Sequence, residues 1–175
     1  MSLAKVSVAV VEDNGMARAN IRNHLLDMGF SQISCFSNGR DLRANMRSLR
    51  IDLLLMDFHL GQNKNGVEVV QDLQKQKKIT HTTCVMFITS DRVPMVIGQI
   101  FDMHPEALLT KPYTIRNLAK NIYSSLNLHK YLMPIYRMIR VILEKSSIKW
   151  QKAMILSVAG ALTAKNHLSH ADCLL

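Results

Sequence analysis

Residues 51–60 read IDLLLMDFHL. Leu53 to Met56 are four apolar residues in a row, and they run straight into Asp57. A short, continuous apolar run is the pattern of a strand buried on both faces. A carboxylate at the mouth of such a strand is costly to desolvate. Asp57 is therefore either a solvated strand end or a residue with a chemical role, and its neighbours along the chain decide which.

Working outward, the same pattern recurs. AKVSVAVVED (4–13) is Val-rich and ends in carboxylates, QISCFS (32–37) follows, and TTCVMFITS (82–90) and EALLT (106–110) complete a set of five expected strands. Between them lie segments of helical period. In residues 14–30, Met16, Ala19, Ile21 and Leu25/Leu26 recur at near-helical spacing, with Asn14 as N-cap and Gly29 closing the helix. Residues 38–49 place Leu42, Met46 and Leu49 on one face. VEVVQDLQKQ (67–76) and RVPMVIGQIFDM (92–103) follow, the latter with Pro94 in its first turn, and then TIRNLAKNIYSSLN (114–127). Five strands alternating with five helices predict an α/β fold with a doubly wound, five-stranded parallel sheet over residues 4–128. Residues 129–175 predict an α-helical C-terminal extension.

Composition agrees with a globular chain. The 175 residues are 48% hydrophobic and 20% charged. No signal peptide is evident, and the apolar stretch AMILSVAGALTA is short of the roughly 18 residues that cross a bilayer. A cytoplasmic protein with no membrane partner is expected. Cys35, Cys84 and Cys173 are scattered and read as reduced thiols, not as a disulfide framework or a zinc site. The net charge of +9 is uneven: residues 1–111 carry 13 Lys+Arg against 11 Asp+Glu, and residues 112–175 carry 9 against 2. No basic run is interleaved with aromatics, so solvated helix faces explain this better than a nucleic-acid partner.

In parallel sheets of this kind, ligands bind beyond the carboxyl ends of the strands. Those ends carry Glu12 and Asp13, then Asp57, then Thr89 and Ser90, then Lys111 and Pro112. Three converging carboxylates repel one another and call for a hard cation. Mg²⁺ suits one or two carboxylates plus a phosphate oxygen. A carboxylate beside such a cation can attack a phosphoryl group, and an opposed hydroxyl and ammonium can stabilise the group in flight. Asp57 as nucleophile, Glu12 and Asp13 for Mg²⁺, Thr89 and Lys111 form such a set.

VVEDN (10–14), LLLMD (53–57), FITS (87–90) and TKPY (110–113), in this order and spacing, resemble the receiver domain of two-component response regulators, the flavodoxin-like fold of the chemotaxis regulator. The resemblance implies that Asp57 is the phospho-acceptor, that Glu12 and Asp13 are the acidic Mg²⁺ pair, and that His59 lends its backbone carbonyl to the metal. It implies that Thr89 is the switch hydroxyl and that Lys111, before a cis Pro112, pairs with the phosphate. It further implies a sensor histidine kinase or phosphotransfer protein as donor, and a phospho-accepting signalling domain instead of an enzyme.

Three departures stand out. Leu108 occupies the place of a switch aromatic, Leu60-Gly61 replaces the usual Met-Pro, and Ser90 follows the switch threonine. Leucine has no ring to swing, which keeps open the alternative of a degenerate receiver acting as a phosphorylation-independent protein- or nucleic-acid-binding module. A third alternative, a phosphatase of the haloacid dehalogenase type, needs an aspartate two residues after the nucleophile, and that position is His59.

Within 129–175, Ile135, Met138/Ile139 and Ile142/Leu143 make an apolar stripe with Arg137, Arg140 and Lys145 outside it. AMILSVAGALTAKNHLSHADCLL (153–175) is weakly similar to a truncated tetratricopeptide repeat, with Ala159, Leu162, Leu168 and Ala171 at its packing positions. These helices are expected to engage a protein partner or a second copy of the chain, giving a homodimer.

Overall fold

The computed structural model describes residues 3–46, 49–61 and 65–127. The C-terminal extension and the repeat-like segment lie outside the described residues.

A short 3-10 turn, Leu3–Lys5, leads into strand β1, Ser7–Val11. Helix α1 (Gly15–Asp27), β2 (Gln32–Phe36), α2 (Gly39–Asn45), β3 (Leu53–Asp57), α3 (Gly66–Lys75), β4 (Cys84–Thr89), α4 (Pro94–Phe101) and β5 (Ala107–Thr110) follow. A fifth helix, α5, runs from 115 to 127, the last described residue. The strands form one parallel sheet in the order β2-β1-β3-β4-β5. This is the expected doubly wound fold.

The period of 2 along each strand sorts the core into two layers. Ala9, Val11, Leu54, Met56, Val85 and Phe87 face one side, where Leu42 of α2, Val70 and Leu73 of α3 and Ile100 of α4 cover them. Val8, Val10, Leu53, Leu55, Met86 and Ile88 face the other, under Ile21 and Leu25 of α1 and Leu118 and Ile122 of α5. Every residue of β3 is buried. That explains the unbroken apolar run of residues 53–56: neither face of this central strand sees water.

Local chemistry sets the helix starts. Asn14, Asn38 and Asn65 accept from the backbone N–H groups of Ala17, Asp41 and Glu68, and Asn65 with Glu68 completes a capping box. Helix α4 has no cap of this kind. It opens on Pro94, and all but Ile100 of it is incompletely buried, which leaves Val93 and Met95 exposed at its start.

The structure trims several expectations. β1 begins at Ser7 because residues 3–5 turn, and it stops before the carboxylates. α2 ends at Asn45 with Met46 as its cap, so Leu49 packs on the core from outside the helix. Met16, expected on the buried face of α1, is 80% exposed. His24 is half-buried, and its Nδ1 has no hydrogen-bond partner among the described residues. No helix among the described residues is long and apolar enough to cross a membrane.

Candidate functional site

Parallel pairing brings the carboxyl ends of β1, β3, β4 and β5 to one edge of the sheet. Glu12 follows β1 directly, and its N–H donates to Phe36 O of β2 at 3.1 Å. Asp57 is the last residue of β3, Thr89 the last of β4, and Lys111 follows β5. The register sets Asp57 opposite Ile88 and Thr89 opposite Thr110. Lys111 N–H donates to Thr89 O at 2.7 Å, and the Lys111-Pro112 peptide is cis.

Carboxylate oxygens of Glu12, Asp13 and Asp57 lie within 4.8 Å of one another. Glu12 and Asp57 are buried, at 2% and 5% exposure, while Asp13 is exposed to solvent. The Lys111 ammonium donates to Glu12 Oε2 at 2.7 Å and to Asp57 Oδ2 at 3.0 Å. Within this group three carboxylates thus share one ammonium, a surplus of negative charge. Their hard oxygen donors suit a divalent cation such as Mg²⁺, with Asp13 open on the solvent side.

The electrostatics follow from this crowding. Burial pushes the Glu12 carboxyl above its ordinary value; the Lys111 hydrogen bond opposes the shift, and the Asp57 charge adds to it. Burial pulls the Lys111 ammonium down, but the Glu12 and Asp57 carboxylates more than offset it and leave it raised.

Two glycines let the loops close around the cluster. Gly61, at φ +69°, places its backbone where a Cβ would come 3.0 Å from Asp13 Oδ2. Gly66 opens α3 hard against the end of β3. Its N–H donates to Phe58 O at 2.8 Å, and a Cβ there would collide with the Asp57 carbonyl oxygen.

The expected residues Glu12, Asp13, Asp57 and Lys111 are brought together. The Thr89 hydroxyl, fully buried, accepts from the N–H of Asp91 at 3.0 Å. The His59 ring stands at the rim, its Nε2 3.2 Å from Asp91 Oδ2, while its backbone N–H reaches Asp57 Oδ1 at 3.4 Å. The Val93 N–H and the His59 ring hold the Asp91 carboxyl below its ordinary value. Leu108 is partly buried and packs on the layer under α2, α3 and α4.

Sequence reasoning missed two members. Asp91 joins the site through Thr89 and His59; its signal was a carboxylate just ahead of a Pro-led helix, in DRVP (91–94). Arg18 donates from Nη1 to Glu12 O at 2.6 Å and to Asp13 O at 3.2 Å, which pins the backbone beneath the acidic pair. Nothing in the sequence distinguished Arg18 from a surface arginine.

The response regulator receiver domain family matches residues 8–123. Response regulator RR06 of Streptococcus pneumoniae serotype 2 is 23% identical over 82% of this chain and 64% of its own length. A protein-glutamate methylesterase/protein-glutamine glutaminase of Paramagnetospirillum magneticum is 33% identical, over 43% of this chain and 21% of its own. The chain thus spans less than two thirds of either curated relative. Among solved structures, the signal receiver domain of a modulated diguanylate cyclase from Desulfovibrio desulfuricans G20 superposes with a TM-score of 0.63 at 26% identity, covering 71% of this chain and 96% of that one.

Proposed function

Because this chain belongs to the response regulator receiver family, we propose that Asp57 accepts a phosphoryl group from the phosphohistidine of a sensor histidine kinase or a phosphotransfer protein. The observation that carries this reading is the Lys111 ammonium, bonded at once to Glu12 and Asp57 inside a cluster of three carboxylates. Glu12, Asp13, Asp57 and the His59 carbonyl would hold Mg²⁺, which when bound would supply positive charge for the phosphoryl oxygens and relieve the carboxylate repulsion.

The residues then divide the work. An Asp57 carboxylate oxygen attacks phosphorus, the P–N bond to the donor imidazole breaks, and its electron pair stays on the imidazole nitrogen. Lys111 holds a charged hydrogen-bond donor at the acceptor and neutralises the incoming oxygens. Thr89, at the end of the neighbouring strand, offers the hydroxyl that engages the phosphorylated state. The acylphosphate is later lost to water. The chain on this reading is a phosphoryl-accepting signalling domain, not an enzyme with a substrate of its own. Its His59 ring is directed to Asp91, which does not suit the acid/base role of a dehalogenase-type phosphatase.

We assign the receiver to residues 4–128 and a helical extension to 129–175. The apolar stripe of Ile135, Met138/Ile139 and Ile142/Leu143 favours a protein partner or a second copy there. A cytoplasmic location and a protein-only set of partners fit this role.

Intact mass after incubation with acetyl phosphate tests the reading. One phosphoryl group should be gained with Mg²⁺, should not be gained when the Mg²⁺ is chelated beforehand, and should be absent from Asp57→Asn. If the wild type gains nothing under conditions that label other receivers, the phospho-acceptor assignment fails.

A further inference from the structure

Two loops that are far apart in sequence are tied together beside the acceptor. The first, between β3 and α3, carries His59; the second, between β4 and α4, carries Asp91. His59 N–H donates to Asp57 Oδ1 at 3.4 Å, and the His59 ring meets Asp91 Oδ2 at 3.2 Å. An ionised carboxylate only accepts, so the His59 Nε2 carries the proton. Asp91 N–H donates to Thr89 Oγ1 at 3.0 Å, and Asp91 Oδ1 accepts from Val93 N–H at 2.8 Å. The hydrogen bonds therefore run unbroken from Asp57 through His59 and Asp91 to Thr89, with a branch to the start of α4. The buried Phe58 ring packs edge-on to His59, with centroids 4.9 Å apart, and steadies the imidazole.

We propose that His59 and Asp91 form a clasp between the two loops that holds the Thr89 hydroxyl and the first turn of α4 in the resting arrangement, and that opens when Asp57 is phosphorylated. The second half of this inference rests on the reading of Asp57 as phospho-acceptor. To turn its hydroxyl toward a group on Asp57, Thr89 must surrender the Asp91 N–H that its Oγ1 now accepts. Asp91 cannot follow freely, because its carboxylate is held by His59 on one side and Val93 on the other. A phosphoryl group adds strong acceptor oxygens at the Asp57 end and competes for the donors that close the ring. Opening the clasp then releases the Val93 N–H and with it the exposed apolar start of α4, where Val93 and Met95 already face solvent at 53% and 74%. Helix α4 has no other side-chain cap to hold that turn. With Leu108 in place of an aromatic, this route carries the change outward without a swinging ring.

His59 and Asp91 act here through Thr89, as positioning residues. The test compares wild type, His59→Ala and His59→Gln in the full chain by amide hydrogen exchange without any phosphoryl donor, and by the rate of phosphoryl uptake from acetyl phosphate with Mg²⁺. His59→Ala keeps the backbone groups and removes only the ring. It should raise exchange at the Asp91 and Val93 amides by about two- to fivefold, the scale of an exposed pair, and leave the β4 amides unchanged. Uptake should quicken by a similar factor. His59→Gln, whose amide can still donate to Asp91, should restore both. Unchanged exchange in His59→Ala overturns the clasp, and faster exchange with unchanged uptake overturns its hold on Thr89. If exchange rises but the wild type takes up no phosphoryl group, the clasp stands as a structural tie and the phospho-acceptor reading is what fails.

Discussion

Glu12 is the residue on which the charge of the site turns. Its carboxyl is raised by burial and by Asp57 despite the Lys111 bond. A raised folded value means the neutral form is favoured, so stability tied to this group is greatest below pH 4.5 and falls as pH rises through the folded value. Glu12→Gln should therefore melt at a higher temperature than wild type near neutral pH without metal, and the difference should vanish at about pH 4. The same variant should bind Mg²⁺ at least about tenfold more weakly by calorimetry. Binding by the wild type should weaken on acidification before an ordinary carboxylate would titrate, because the proton competes at a raised value. Lys111 has the opposite role, since its raised ammonium contributes stability until pH climbs through its folded value above 10.5. Lys111→Ala strips the shared cation from two buried carboxylates. It should cost about 2 kcal/mol in metal-free urea unfolding, less than a fully buried pair because Lys111 keeps some exposure. Added Mg²⁺ should recover much of that loss, since the ion supplies the missing charge.

At the scale of elements, the site depends on how closely α3 approaches β3. Gly66 sits where a Cβ would meet the Asp57 carbonyl oxygen and come 2.9 Å from Met56 Cγ. Gly66→Ala should push the first turn of α3 outward and cost about 1–3 kcal/mol. Its uptake of phosphoryl should fall as well, because the added methyl presses on the backbone of Asp57 itself; thermal melting and intact mass on one sample read both effects. The elements differed in how plainly the sequence announced them. Leu53 to Met56 were legible because a strand buried on both faces writes an unbroken apolar run, and the same holds for β1 and β4. Helix α1 was less legible: Met16 has the right spacing but lies 80% exposed, before the helix settles onto the sheet with Ile21 and Leu25. Asp57 and Lys111 were legible as strand ends. The His59–Asp91 bond was not, because it joins loops 32 residues apart, and only the order of the strands brings them together.

At the scale of the whole molecule, the proposed boundary near residue 128 can be weighed against burial. Helix α5 belongs to the receiver core: Leu118 and Ile122 are fully buried and Leu126 is 7% exposed, all against the layer of β1, β3, β4 and β5 residues that also holds α1. Removing this helix would forfeit the burial of three large side chains, each worth about 1.5–3 kcal/mol, for a total of about 4.5–9 kcal/mol. That sum matches the entire stability of an ordinary domain. A chain ending after Asn127 keeps all three contacts and every residue of the acidic cluster. It should fold cooperatively, bind Mg²⁺ as the full chain does and take up one phosphoryl group at Asp57. A chain ending at Thr114 should remain unfolded by circular dichroism at 25 °C. If the longer fragment also fails to fold, residues beyond Asn127 contribute to the receiver core and the boundary must move toward the C-terminus.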